Sequence, residues 1–172
     1  IVSIAKKDGV KPERKKKLID SFVRTEMKAT ILHANERIQT QAELDHSIGR
    51  AATTVSLVKW VEFSDKKQYL YLINVGDSRI FLVRNHKLMR LSQDDSLLMR
   101  AVKEGTLTKE QAHRADQAES FDQVPEEARF YYLQNATVLR SVGTLEDQTV
   151  DVQCQEVFPG DRLVLLSDGV TD

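Results

Sequence analysis

Two acidic turns carry the residue types that could do chemistry. In the first, Asn74-Val75-Gly76-Asp77-Ser78-Arg79 leaves one strand-like run and enters another. In the second, Leu165-Leu166-Ser167-Asp168-Gly169 leaves a strand-like run, and Asp172 follows four residues after Asp168. Each places an aspartate just beyond an apolar strand able to hold it still, and carboxylate oxygens are hard ligands suited to magnesium or manganese. Such ions keep several waters and take few carboxylates, so two or three aspartates gathered by a sheet would form part of a hydrolytic centre. Taken singly, either turn reads better as structural, because Gly-Asp-Ser and Ser-Asp-Gly side chains commonly cap backbone N–H groups.

No other residue type gathers with comparable order. His33, His46, His86 and His113 are scattered without zinc-like spacing and read as surface histidines. Cys154 falls in a strand-like segment and reads as a small core residue rather than a nucleophile. Trp60 reads as core or interface, and no glycine-rich phosphate loop or dinucleotide fingerprint occurs. The run Lys15-Lys16-Lys17 reads as a solvated helix face rather than a nucleic-acid patch.

The elements that must position the two turns follow from periodicity. Leu18, Ile19, Phe22, Val23, Met27, Ile31, Leu32 and Ile38 recur at three- and four-residue steps, which predicts a helix from Pro12 to about Gln41. Pro12 suits a first helical turn and Glu13 suits the positive end of the helix dipole. Beyond Gly49 the texture turns β-branched and aromatic, predicting a strand within residues 53–63 and a second, buried on both faces, over Tyr69 to Val75. Ile80 to Arg84 and Leu88 to Leu91 extend the pattern into an expected antiparallel meander. Leu97 to Val102 and Lys109 to Ala118 read as helices, and residues 113–135 as a surface subdomain or long loop. Strands around Val150 to Val157 and at Arg162 to Leu166 close the chain across Pro159-Gly160-Asp161. A helix followed by antiparallel strands indicates an α+β layered domain.

Composition narrows the class. The 172 residues are 41% hydrophobic and 30% charged, ordinary for one globular domain with a core. Lys and Arg (25) balance Asp and Glu (26), so no overall field favours nucleic acid or an anionic membrane as partner. The single cysteine excludes an internal disulfide and fits a reducing, cytoplasmic setting. No apolar run approaches the roughly 20 residues that cross a bilayer, and the opening Ile1 to Ala5 is too short for a signal peptide. A start without methionine and an end at Asp172 suggest a fragment that would expose strand edges and self-associate.

Five segments in sequence order then resemble one family. Asn74 to Arg84 resembles a signature of the protein phosphatase 2C family. Thr53-Thr54-Val55 resembles its threonine-bearing strand, and Leu91-Ser92-Gln93-Asp94-Asp95-Ser96 its Leu-Thr-x-Asp-His-Ser segment. Gly160 to Asp172 resembles its late strand and metal turn, and Asn135 to Gly143 the segment before that strand. The resemblance implies a four-layer α-β-β-α sandwich, truncated at both ends, with magnesium or manganese ions that activate water against phosphoserine or phosphothreonine in proteins. It implies that Asp168 is a metal ligand, that Asp77 serves a third and weaker metal beside a flap, and that Asp172 lies near that metal. The flap would span about residues 106–135 of one partial phosphatase domain, 1–172, and Arg79 would support the turn. A cognate protein kinase is an implied further partner.

Departures are equally specific. The family's Glu-Asp and Asp-Gly-His-Gly-Gly segments do not precede the long helix, Asp8-Gly9-Val10 being only superficially alike, and its Gly-x-Asp-Asn segment does not follow. Asp95 stands where the family has histidine and Ala52 where it has glycine. The expectation is therefore a chain that is inactive alone, belonging to an active phosphatase or, alternatively, to a pseudophosphatase that binds a phosphoprotein or kinase.

Overall fold

The computed structural model describes residues 11–134, 139–146 and 150–171. Helix α1 (Pro12–Leu44) begins with Pro12 in its first turn and buries Val23, Met27, Ile31 and Asn35 at four-residue steps, one face of a 3.6-residue period. That face lies on a sheet of β1 (Val55–Glu62), β2 (Gln68–Val75) and β5 (Gln153–Val157), ordered β1-β2-β5 and antiparallel throughout. A second antiparallel sheet has the order β4-β3-β6, from β3 (Arg79–Arg84), β4 (Lys87–Arg90) and β6 (Arg162–Leu166).

The period of two along β2 explains the layering. Tyr71, Ile73 and Val75 join the α1 face, while Leu70 and Leu72 point the other way and meet Ile80 and Leu82 of β3. Each such fully buried side chain stabilises the fold by about 1.5–3 kcal/mol. Three layers, α1 and the two sheets, are thus stacked among the described residues. On the outer face of the second sheet, which carries Phe81, Val83 and Val164, no described helix of comparable length lies.

One expectation is corrected in its topology. The strands predicted as a single meander are two hairpins in different sheets, because the chain changes sheets at Gly76-Asp77-Ser78 rather than turning back within one. Within the second hairpin, Asn85 and His86 both take positive φ (51° and 60°), the paired left-handed geometry of a tight turn matched to strand twist.

Residues 97–133 form a helical subdomain. Helix α2 (Leu97–Lys103) is capped by Ser96, and α3 (Lys109–Asp116) by a reciprocal Thr108 and Gln111 box. Two single turns, Phe121–Gln123 and Glu126–Ala128, lead into α4 (Arg129–Leu133). Leu98, Ala101, Leu107, Ala115, Val124 and Ala128 give these pieces their own apolar cluster. The first two lie where the sequence predicts helices, and the pieces from 121 to 133 are too short to show a period in sequence.

Three smaller readings change. Cys154 is exposed on β5 rather than buried, and Trp60 is 56% exposed. Lys16 is half-buried, donating to the Tyr69 hydroxyl (2.8 Å) and lying 4.4 Å from that ring's centroid, so it packs on the sheet instead of facing solvent. No helix among the described residues is long and apolar enough to cross a membrane.

Candidate functional site

The crossover between the sheets is sterically closed. Gly76 sits at φ +100°, and a Cβ there would stand 2.4 Å from Thr54 Cγ2 and 2.8 Å from Thr54 Cβ, so only glycine fits. Its backbone is held on both sides by Asp95, whose Oδ2 accepts from Gly76 N (3.1 Å) and whose N donates to Gly76 O (3.0 Å). Asn74 Nδ2 also donates to Gly76 O (3.2 Å), and its Oδ1 accepts from Ser56 Oγ (2.6 Å). The Ser78 and Thr54 hydroxyls are bonded at 2.9 Å. These neighbours satisfy the turn. The half-buried Asp77 carboxylate takes no part, and among the described residues no hydrogen bond or ion pair engages it.

The second acidic turn leaves the same end of the second sheet. Arg79 pairs with Leu166 in the β3–β6 register, Asp77 stands two residues before Arg79, and Asp168 stands two after Leu166, opening the short helix α5 (Asp168–Thr171). Antiparallel pairing therefore brings the backbones of both turns together. Asp172 lies outside the described residues, as does the side chain of Asp168. The Asp8-Gly9-Val10 segment and residues 135–138 also lie outside them.

Two supports for this end were missed in the sequence. Asn35, at the step after Val23, Met27 and Ile31, is a buried amide on the apolar face of the helix. Its Oδ1 accepts from Gly143 N (2.7 Å) and Leu145 N (3.1 Å), and its Nδ2 donates to Leu145 O (3.3 Å). The helix thereby clamps the loop whose Val142 bridges to Thr53 in both directions (2.8 and 3.0 Å). The interruption of an apolar stripe by one amide was the available signal.

The other support is ionic. Arg79 Nε (3.3 Å) and Nη2 (3.2 Å) reach Asp94 Oδ2, and Arg79 Nη2 also reaches Asp116 Oδ1 on α3 (3.2 Å). Arg90 contacts Asp94 Oδ1 and meets Asp116 Oδ2 (3.3 Å). Two arginines thus alternate with two aspartates across β3, β4, the 92–96 loop and α3. Burial pushes the Asp94 carboxyl above the ordinary carboxylate range, while the Arg90 hydrogen bond and the Arg90 and Arg79 charges pull against it. Arg79, expected from the sequence to support the turn, is engaged by Asp94 and Asp116; Asp116 carried no signal there, since only the fold brings it to Arg79 from 37 residues away.

A metal centre was tested against these positions. Among the described residues no three carboxylate, imidazole or thiolate groups converge to hold a metal ion. Asp77 offers an unengaged carboxylate at the right kind of place, but a site would need donors beyond the described set.

Comparison with known proteins agrees in family and fold. The protein phosphatase 2C family matches residues 2–97. The serine/threonine protein phosphatase PstP of Mycobacterium tuberculosis is 26% identical over 144 residues, covering 84% of this chain and 24% of that protein. The solved structure of a Streptococcus agalactiae serine/threonine phosphatase superposes with a TM-score of 0.63 at 28% identity, covering 88% of this chain and 53% of that one. The PstP catalytic domain described as a complex with 2 manganese ions has the same fold (TM-score 0.56, 22% identity, 96% of this chain and 55% of that one). The chain thus spans about a quarter of its curated relative and about half of the solved catalytic domains.

Proposed function

Because the chain belongs to the protein phosphatase 2C family, we propose that the whole protein hydrolyses phosphoserine and phosphothreonine esters in proteins with bound magnesium or manganese. The observation that carries this reading is the Asp77 turn, a half-buried carboxylate without a structural partner among the described residues, at the point where the chain passes between two sheets. Asp168 and Asp172 follow the adjacent strand, and their carboxylates would complete part of the centre. The flap expected over about residues 106–135 would lie for the most part within the helical subdomain of residues 97–133. The substrates are phosphoproteins in signalling, with a cognate kinase writing the marks.

The described residues contribute placement rather than a finished centre. Asp95 bonds the Gly76 backbone on both sides, Arg79 anchors the neighbouring Asp94, and both sheets rigidify the turn, so the carboxylate arrives without a reorganisation cost. The Asp95 departure does not favour a binding-only protein, since its carboxylate has a structural task at Gly76.

The test is manganese-dependent phosphate release from a phosphothreonine peptide by the full-length protein, its Asp168→Asn and Asp77→Asn variants, and residues 1–172 alone. The expected result is an active full-length protein, loss of about a hundredfold or more in Asp168→Asn, a smaller loss in Asp77→Asn, and a silent 1–172 segment. A full-length protein inert across a wide manganese range removes the catalytic reading and leaves phosphoprotein binding as the function.

A further inference from the structure

We propose that Asp116 is a positioning residue, the latch through which Arg79 and Arg90 set where the helical subdomain stands beside the Asp77 turn. Three observations carry it. Asp116 is the last residue of α3, and its two oxygens are divided between two arginines on different strands, Oδ1 to Arg79 (3.2 Å) and Oδ2 to Arg90 (3.3 Å). Both arginines are also committed to Asp94, so the four charges balance and neither arginine can turn away without leaving two carboxylates to share one guanidinium. The group is poorly solvated: the Arg79, Asp94 and Asp116 side chains are 13%, 7% and 19% exposed, which strengthens the ion pairs relative to surface ones.

Its position gives the latch a consequence. Arg79 is two residues from Asp77 and opens the strand that leaves the turn, so its side chain ties that strand end to the subdomain. Within the subdomain the apolar cluster links α2, α3 and the 121–133 segment, so displacing α3 displaces the whole unit. A phosphoprotein approaching the sheet end must pass this unit, whereas a small aryl phosphate need not. The latch therefore acts on recognition of protein substrates and leaves the chemical step to the turn. This consequence rests on the phosphatase reading above; the latch itself does not.

The experiment uses the full-length protein with Asp116→Ala, Asp116→Asn and Asp116→Glu. Amide hydrogen exchange is read over residues 97–133 and over β2, and kcat and KM are measured for a phosphoprotein and for an aryl phosphate. In the Ala and Asn variants exchange over 97–133 should rise while β2 is unchanged. KM for the phosphoprotein should rise about fivefold with kcat and the aryl phosphate parameters within about twofold. Asp116→Glu should recover most of both. Unchanged exchange in the Ala and Asn variants overturns the latch whatever the activity. Raised exchange with equal losses on both substrates, or with no loss on either, overturns the positioning role. Raised exchange in a protein whose wild type hydrolyses neither substrate overturns the phosphatase reading and with it that role.

Discussion

The Gly76-Asp77-Ser78 crossover is fixed by steric closure and paired backbone bonds, whereas the 97–133 subdomain is fixed internally by apolar contacts and tied to the sheets by charge. At the crossover each restraint is short-ranged and indifferent to the solution: Thr54 blocks any side chain at Gly76, and β2 is buried on both faces. At the subdomain the ties to Arg79 and Arg90 depend on charge and feel ionic strength. A fold that must hold one carboxylate still and let a protein substrate approach beside it has reason to use the two kinds of restraint in these two places.

Adding one methyl group to each region separates steric closure from open packing. Gly76→Ala meets Thr54 Cγ2 at 2.4 Å as well as an unfavourable φ of +100°, and should destabilise the full-length protein by about 3–5 kcal/mol. Gly105→Ala in the subdomain has a similar φ (+76°) but nothing within 4 Å, and should cost only about 1 kcal/mol. Denaturant titration gives both numbers, and adding Thr54→Ala should recover part of the first but none of the second. Equal costs would mean that closure at Thr54 is not what fixes the crossover.

Next in size is the buried amide. Asn35→Leu keeps the bulk but leaves Gly143 N and Leu145 N without acceptors, a loss of about 2–4 kcal/mol. Exchange at residues 141–145 should rise with it, while the subdomain amides stay unchanged. A near-neutral Asn35→Leu would show that the loop finds other partners.

Elements with a full period were readable in sequence and joints between elements were not. The α1 stripe and the two-sided burial of β2 span enough residues to display periods of 3.6 and 2, so both were predicted close to their observed bounds. The sheet change at Gly76 was missed because strand periodicity is the same whether the next strand continues the sheet or starts another. Asp77 and Asp168 were legible as strand-end carboxylates, and the β3–β6 register brings their turns to one end. Asp94, Asp95 and Asp116 were not, since an aspartate bonding a backbone N–H or an arginine far along the chain leaves no local mark. Cys154 shows the converse error: it pairs with Tyr71 and so lies on the α1 side of the sheet, but on the edge strand β5 it stays exposed.

Salt separates the two regions with a smaller effect. Raising ionic strength from about 0.05 to about 0.5 M shortens the screening length severalfold and should speed exchange over residues 97–133 about threefold. Exchange in β2 should not follow, because its contacts are apolar and its ladder bonds are buried. Parallel acceleration in both regions would place the subdomain and the sheets in one cooperative unit.

The smallest effect tests whether charge also serves the sheets away from the crossover. Arg84, at the end of β3, reaches Asp161 in the β5–β6 turn with Nη2 (2.6 Å) and Nε (3.0 Å), and donates to Glu156 O (2.9 Å). Asp161 Oδ2 accepts as well from Phe158 N (2.9 Å), so one carboxylate joins the second sheet to the turn leaving the first. The Arg84 hydrogen bond, reinforced by Phe158 N, holds the Asp161 carboxyl below its ordinary value of 3.8. A depressed folded-state pKa means that the unfolded chain binds the proton more readily. The stabilisation is then fully present above the ordinary value and is lost as pH falls through the folded one. Asp161→Asn should therefore lower the urea midpoint of the full-length protein near neutrality, and the gap from wild type should close progressively below about pH 4. A gap independent of pH would mean that the charge of Asp161 contributes nothing to stability, leaving charge at work only where the subdomain meets the sheets.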